Sequence, residues 1–167
     1  KKVASISVPQ KEFLTVKGND GSDLNAYMIK PLDFSTTRKY PVVMVQYNGP
    51  NHQLVLDKYE LDWENYLATQ GFIVVCGIWG WSYGGYNTLM SMSRGAVFAA
   101  GVAIAPVTSW RFYDSVYTER YMRTPEQNMQ GYVNGSPISL AGQLHGNLLL
   151  IHGSADDNVH FQNTMDY

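Results

Sequence analysis

Three runs of residues constrain this chain more than any others: YPVVMVQY at 40–47, FIVVC at 72–76 and NLLLIHG at 147–153. Each is nearly unbroken in apolar side chains. A strand with one wet face alternates polar and apolar residues, whereas an unbroken apolar run marks a strand covered on both faces, as in a parallel sheet flanked by helices. Between the first two runs lies DKYELDWENYLAT at 57–69. There Tyr59, Trp63, Tyr66 and Leu67 follow helical spacing, and Gly71 stands as a stop. Strand, helix, strand in that order predicts an α/β protein. Upstream, KEFLTVK (11–17) and DLNAYMIK (23–30) flank Asn19-Asp20-Gly21, a pair of strands around a hairpin turn.

One junction breaks the pattern. GIWGW at 77–81 also reads as a buried strand, yet it follows Cys76 directly. Parallel strands need a crossover of about a dozen residues. Either 72–81 is one long strand or a segment is missing between Cys76 and Gly77. Downstream, 86–93 reads as a helix, 97–107 as a strand or a helix end followed by a strand, and 136–145 as the start of a short helix; 108–123 is aromatic-rich with helical spacing among Trp110, Tyr113 and Tyr117, which predicts a mostly helical wall over 108–121. The 167 residues suit one domain with a real core.

Composition removes several function classes. Only 16% of residues are charged, while 12 Tyr, 6 Phe and 4 Trp are present, the opposite of a disordered chain. A net charge of −2 leaves no footprint for nucleic acid. No apolar run is long enough for a bilayer span, and KKVASISVPQKEF at the start lacks the apolar stretch of a signal peptide. The single cysteine, Cys76, excludes an internal disulfide and a zinc ribbon. Asp156, Asp157 and His160 lack any recognised metal-ligand spacing, so neither a metal nor a cofactor is expected.

The chemistry centres on Gly80-Trp81-Ser82-Tyr83-Gly84, which fits G-x-S-x-G between a buried strand and a helix. That context is the one in which a nucleophilic serine sits on a strained turn above a sheet; a plain glycine-rich turn is the bland alternative. A hydrolase built this way needs two oxyanion donors. The Tyr83 N–H is one, and the loop after the 40–47 strand offers the Tyr47 phenol, unless Tyr47 merely caps that strand. The acid follows a late strand in such proteins, which points to Asp156 and Asp157 after NLLLIHG, or else to two solvated loop carboxylates. No credible general base is present: His52, His145 and His152 precede the acid, and His160 follows it by only four residues.

Taken together, GIWGWSYGGY, APVTSWRFYDSVYTERYM and LLLIHGSADDNVHF resemble the catalytic domain of the dipeptidyl peptidase IV group, in the prolyl oligopeptidase family of serine peptidases. The resemblance implies an α/β-hydrolase fold, a mostly parallel sheet with helices on both faces, incomplete here. It implies Ser82 as nucleophile, Asp156 as triad acid, and Tyr47 with the Tyr83 N–H as oxyanion donors. Val107, Trp110, Tyr113, Tyr117 and Val159 match an apolar pocket that favours proline, and Asn158 a residue that binds the carbonyl of the substrate's second residue. The implied activity is release of X-Pro or X-Ala dipeptides from peptide amino termini. An acylaminoacyl peptidase, an esterase and a non-catalytic relative are the alternatives. The resemblance further implies several dozen residues between Cys76 and Gly77, a catalytic histidine beyond Tyr167, a β-propeller outside this chain, a homodimer, and a periplasmic or cell-envelope setting. On that reading this is a partial catalytic domain, inactive alone.

Overall fold

The computed structural model describes residues 7–18, 20–47, 49–75 and 79–167. The chain divides into two compact units, Lys1–Val45 with Gln53–Gly77, and Gln46–His52 with Ile78–Tyr167.

The first unit holds a four-stranded sheet in the order β1-β2-β4-β3. Strands β1 (Lys11–Lys17) and β2 (Asp23–Ile29) pair antiparallel with Lys17 opposite Asp23. The expected hairpin turn is present: the Gly18 N–H donates to Ser22 O at 2.9 Å and Gly21 takes φ 82°. Asn19 lies outside the described residues. Strands β3 (Val42–Met44) and β4 (Ile73–Val75) pair parallel, joined through helix α1 (Trp63–Thr69). Helix α1 starts later than the 57–69 periodicity predicts. Asp62 accepts the Glu64 N–H at 2.9 Å, and the Asn65 side chain accepts the Asp62 N–H at 3.1 Å. This reciprocal cap fixes the first turn, and Tyr59 stays exposed outside it. The core is Tyr27, Ile29, Ala68 and Val74.

Glu64 is buried beneath this cap and accepts the Tyr27 hydroxyl at 2.8 Å. Burial raises its carboxyl above the usual range, with the Tyr27 hydrogen bond opposing. A raised carboxyl means that the folded state holds the proton more tightly than the unfolded chain, so stability falls as pH climbs through that window. Glu64→Gln keeps the acceptor for Tyr27 and removes the charge. It is expected to raise the melting temperature at pH 7 and to leave it unchanged at pH 4, as read by thermal unfolding at both values.

The second unit holds three parallel strands in the order β5-β6-β7: β5 (Trp79–Trp81), β6 (Ala100–Ile104) and β7 (Asn147–Ile151). Helix α2 (Tyr83–Arg94) connects β5 to β6 and buries Leu89, Met90 and Met92. The segment 136–145 forms a 3-10 helix at Pro137–Gln143. Helices α4 (Met129–Asn134) and α5 (Gln162–Asp166) complete the unit.

The wall over 108–121 is mostly helical, as expected, and comes in two pieces: a 3-10 turn at Trp110–Phe112, an extended Tyr113, then helix α3 (Ser115–Met122). Ser109 and Asp114 each cap the backbone after them, Ser109 accepting from the Arg111 N–H and Asp114 from the Tyr117 N–H. Each cap starts a new element. The Cys76–Gly77 junction lies outside the described residues. Among the described residues no helix is long and apolar enough to cross a membrane.

Candidate active site

Ser82 stands between β5 and α2 with φ 56° and ψ −115°, in the left-handed region that a non-glycine residue adopts only when its surroundings force it. Two hydrogen bonds do the forcing. The Ser82 N–H donates to Ile104 O at 2.8 Å, tying the turn to the end of β6, and the Tyr86 N–H donates to Ser82 O at 3.0 Å to open the helix. The turn is also too tight for side chains on either side. A Cβ on Gly80 would collide with the backbone of Gly84, and a Cβ on Gly84 would collide with the Gln46 carbonyl. Serine is a favoured helix N-cap, yet the Ser82 side chain makes no capping bond here. Its hydroxyl is left for other work.

Ser82 lines a small cavity of about 50 Å³ together with Tyr47, Tyr83, Val107, Trp110, Tyr113 and Tyr117. The aromatic members form one wall despite the break at Tyr113. Trp110 and Tyr117 stack at 6.3 Å and 24°, and Tyr113 meets Tyr117 edge-on at 5.3 Å. Edge-to-face and offset contacts of this kind add stability beyond area burial. Burial pushes the Tyr117 phenol up to about 12, with the Tyr83 and Tyr121 phenols adding to it, and raises Tyr83 and Tyr113 in the same direction. The wall therefore carries no charge near neutral pH and presents an apolar surface with a few hydroxyls.

Asp156, Asn158 and Val159 are not among the residues lining that cavity, but they are tied to it. Val159 packs with Val107 and Trp110 in one buried cluster. The Tyr113 hydroxyl donates to the Asn158 side-chain oxygen at 3.1 Å. Asn158 and Asp157 face a neighbouring polar cavity of about 410 Å³ that Tyr113 also lines. The two carboxylates of the loop differ sharply. Asp157 is exposed, whereas one oxygen of Asp156 accepts both the Asn158 and Val159 N–H groups at 3.0 Å. Two backbone donors lock the carboxylate plane.

The four histidines fill no gap at the serine. His145 and His160 are exposed, His52 sets its ring edge on Tyr47 at 4.7 Å, and His152 is enclosed behind the acid loop. No hydrogen bond joins any of them to Ser82 among the described residues.

Two features escape the sequence motifs. A second cavity of about 140 Å³ shares Tyr83, Trp110 and Tyr117 and adds Pro50, Tyr86, Tyr121 and Met122. Tyr121 stands one helical turn after Tyr117, so the i, i+4 spacing carries its signal. The other feature is Asn163. It is fully buried, and its side-chain oxygen accepts the Thr108 N–H at 2.9 Å while its backbone carbonyl accepts the Thr108 hydroxyl at 2.6 Å. This pins the segment after β6 to α5. Nothing in local periodicity announces a contact across 55 residues.

The family described as the prolyl oligopeptidase family matches residues 61–167. The chain belongs to the prolyl oligopeptidase family. Its fold is that of an α/β-hydrolase, present here in part. Among prolyl oligopeptidase relatives, "Probable dipeptidyl-aminopeptidase B" of Phaeosphaeria nodorum is 40% identical over 198 residues, covering 87% of this chain and 22% of the relative. The protein of the same name from Emericella nidulans is 37% identical and covers 99% of this chain and 24% of its own length. The crystal structure of Porphyromonas gingivalis dipeptidyl peptidase 4 superposes with a TM-score of 0.93 at 45% identity, covering 99% of this chain and 30% of that one. The chain thus spans less than a third of each relative.

Proposed function

We propose that the protein containing this chain is a serine exopeptidase that releases X-Pro or X-Ala dipeptides from peptide amino termini. The observation that carries this reading is the single cavity in which a strained, uncapped Ser82 meets Tyr47 and an aromatic wall. A proline ring has no N–H and two flat apolar faces, so it enters an uncharged aromatic pocket without leaving a polar group unpaired.

In this reading the Ser82 hydroxyl loses its proton to a histidine supplied from beyond Tyr167 as its oxygen attacks the proline's own carbonyl carbon. Asp156 orients that histidine. The negative charge gathers on the carbonyl oxygen, where the Tyr83 N–H and the Tyr47 hydroxyl donate to it. The C–N bond breaks, the histidine returns the proton to the leaving amine, and the dipeptide stays as an ester on Ser82. Water, deprotonated by the same histidine, attacks the ester and frees the dipeptide and the serine. The substrate ammonium is held by a propeller domain outside this chain, and two copies pair, as the resemblance implies. A segment between Cys76 and Gly77 belongs to the same reading. Supporting it, the Phaeosphaeria relative needs 198 aligned positions to span 87% of a 167-residue chain.

The test is a panel of chromogenic amides offered to the full-length protein. Gly-Pro-p-nitroanilide is expected to exceed Gly-Leu-p-nitroanilide by about 10- to 100-fold in kcat/KM, the discrimination that a shaped apolar pocket supplies, with Gly-Ala between them. Equal or faster cleavage of an N-acetylated substrate would overturn the exopeptidase reading in favour of an acylaminoacyl peptidase.

A further inference from the structure

The acid loop is organised around a buried histidine, His152, that the mechanism above does not use. It sits just past the end of β7, and its side chain is wholly enclosed. Both ring nitrogens are engaged: Nε2 with the Val159 carbonyl and Nδ1 with the Thr164 hydroxyl, each at 2.7 Å. A carbonyl only accepts, so Nε2 carries the hydrogen and donates it to Val159. The ring edge rests on Phe161, with centroids 5.6 Å apart. One side chain therefore holds three parts of the segment: the start of the loop, its far end at Val159, and helix α5 through Thr164.

Asp156 lies inside the span that His152 closes. One of its oxygens is fixed by the Asn158 and Val159 N–H groups. Val159 is thus held twice, its N–H by Asp156 and its carbonyl by His152. The other oxygen, Oδ2, stands 3.5 Å from His152 Nε2. That is too long for a hydrogen bond from an N–H already given to Val159, so Oδ2 is left for a further partner. The ring cannot serve as the base for Ser82, because both nitrogens are committed and water does not reach it.

We propose that His152 is a positioning residue, which fixes the direction of Asp156 Oδ2 by clamping the turn through the Val159 carbonyl. This rests on Asp156 being the triad acid. The role is distinct from general support of the fold, because the catalytic base senses Asp156 electrostatically: a carboxylate held against an imidazole favours its protonated form and raises its pKa. A loosened Asp156 lowers that pKa.

The experiment uses the full-length protein and a Gly-Pro chromogenic amide. His152→Phe keeps the ring volume against Phe161 and removes both hydrogen bonds. It is expected to lower kcat by about 100-fold, the scale of a misplacement near 1 Å, with KM unchanged and the acidic limb of the kcat/KM profile moved to lower pH. His152→Gln, whose amide can still donate to Val159, is expected to recover most of the rate and the original limb. If His152→Phe fails to fold, Thr164→Val loosens the ring from its other side, with the same directions at smaller size. Unchanged kcat, a rise in KM alone, or a fall in kcat without the limb shift would each overturn the proposal. Asp156→Asn run alongside separates the two levels: full activity there would end the triad reading itself, whereas an inactive Asp156→Asn beside an unaffected His152→Phe would end only the role of His152.

Discussion

Ser82→Ala is expected to lower turnover of a Gly-Pro amide by about 10⁶ in the full-length protein, the loss seen when a triad serine is removed, with no loss of folding stability. The second half of that expectation is the less ordinary one. A serine at a helix N-cap usually stabilises its helix by about 1 kcal/mol through a side-chain bond to the first turn. The Ser82 hydroxyl makes no such bond, and the turn is held by the backbone alone, through Ile104 and Tyr86. Alanine meets the same backbone strain as serine at φ 56° and forfeits nothing in its place. Turnover and stability should therefore separate cleanly, as read by steady-state rates beside thermal melts. A fluorophosphonate probe should label the parent and not the variant. Retained turnover would remove the serine mechanism. A large drop in melting temperature would mean that the hydroxyl is structural after all.

The parts of this site differ in how legible they were from sequence, and the difference is physical. The elbow is legible because its constraints are local: Gly80 and Gly84 are demanded by contacts within a few residues of Ser82 and by the Gln46 carbonyl, and the strand and helix flanking it have their own periods. The aromatic wall is legible in content but not in shape. Spacing of Trp110, Tyr113 and Tyr117 predicts a mostly helical wall, and Ser109 and Asp114 divide it in two. The rings meet anyway, because a 3-10 turn and an extended residue return the chain to the same side. Composition and spacing do not separate Asp156 from Asp157; what the structure adds is that the loop's own N–H groups reach Asp156.

Asp156→Asn is the sharper probe of that carboxylate, and its expected effect is a fall in kcat of about 10⁴, the cost of the wrong imidazole tautomer in a serine triad. The reasoning begins with the occupied oxygen. Asp156 Oδ1 accepts from the Asn158 and Val159 N–H groups at 3.0 Å each, so an asparagine must put its own oxygen there, since an amide nitrogen facing two donors would lose both bonds. Its NH₂ group then takes the place of Oδ2. In the proposed triad Oδ2 accepts a hydrogen bond from the catalytic imidazole, whereas the amide at that position offers one. The imidazole answers by moving its proton to the other nitrogen, the one that must be bare to take the Ser82 proton. The nearby His152 N–H, 3.5 Å from that position, stays committed to Val159 and cannot repair the mismatch. Because both loop bonds survive, melting temperature and KM are expected to hold while kcat collapses. Asp156→Ala is the contrasting variant: it empties both N–H groups and should lower stability as well as rate. Equal rates for the asparagine variant and the parent would mean that the acid acts elsewhere. A fall in stability equal to that of the alanine variant would mean that the amide does not take up the bonded orientation argued here.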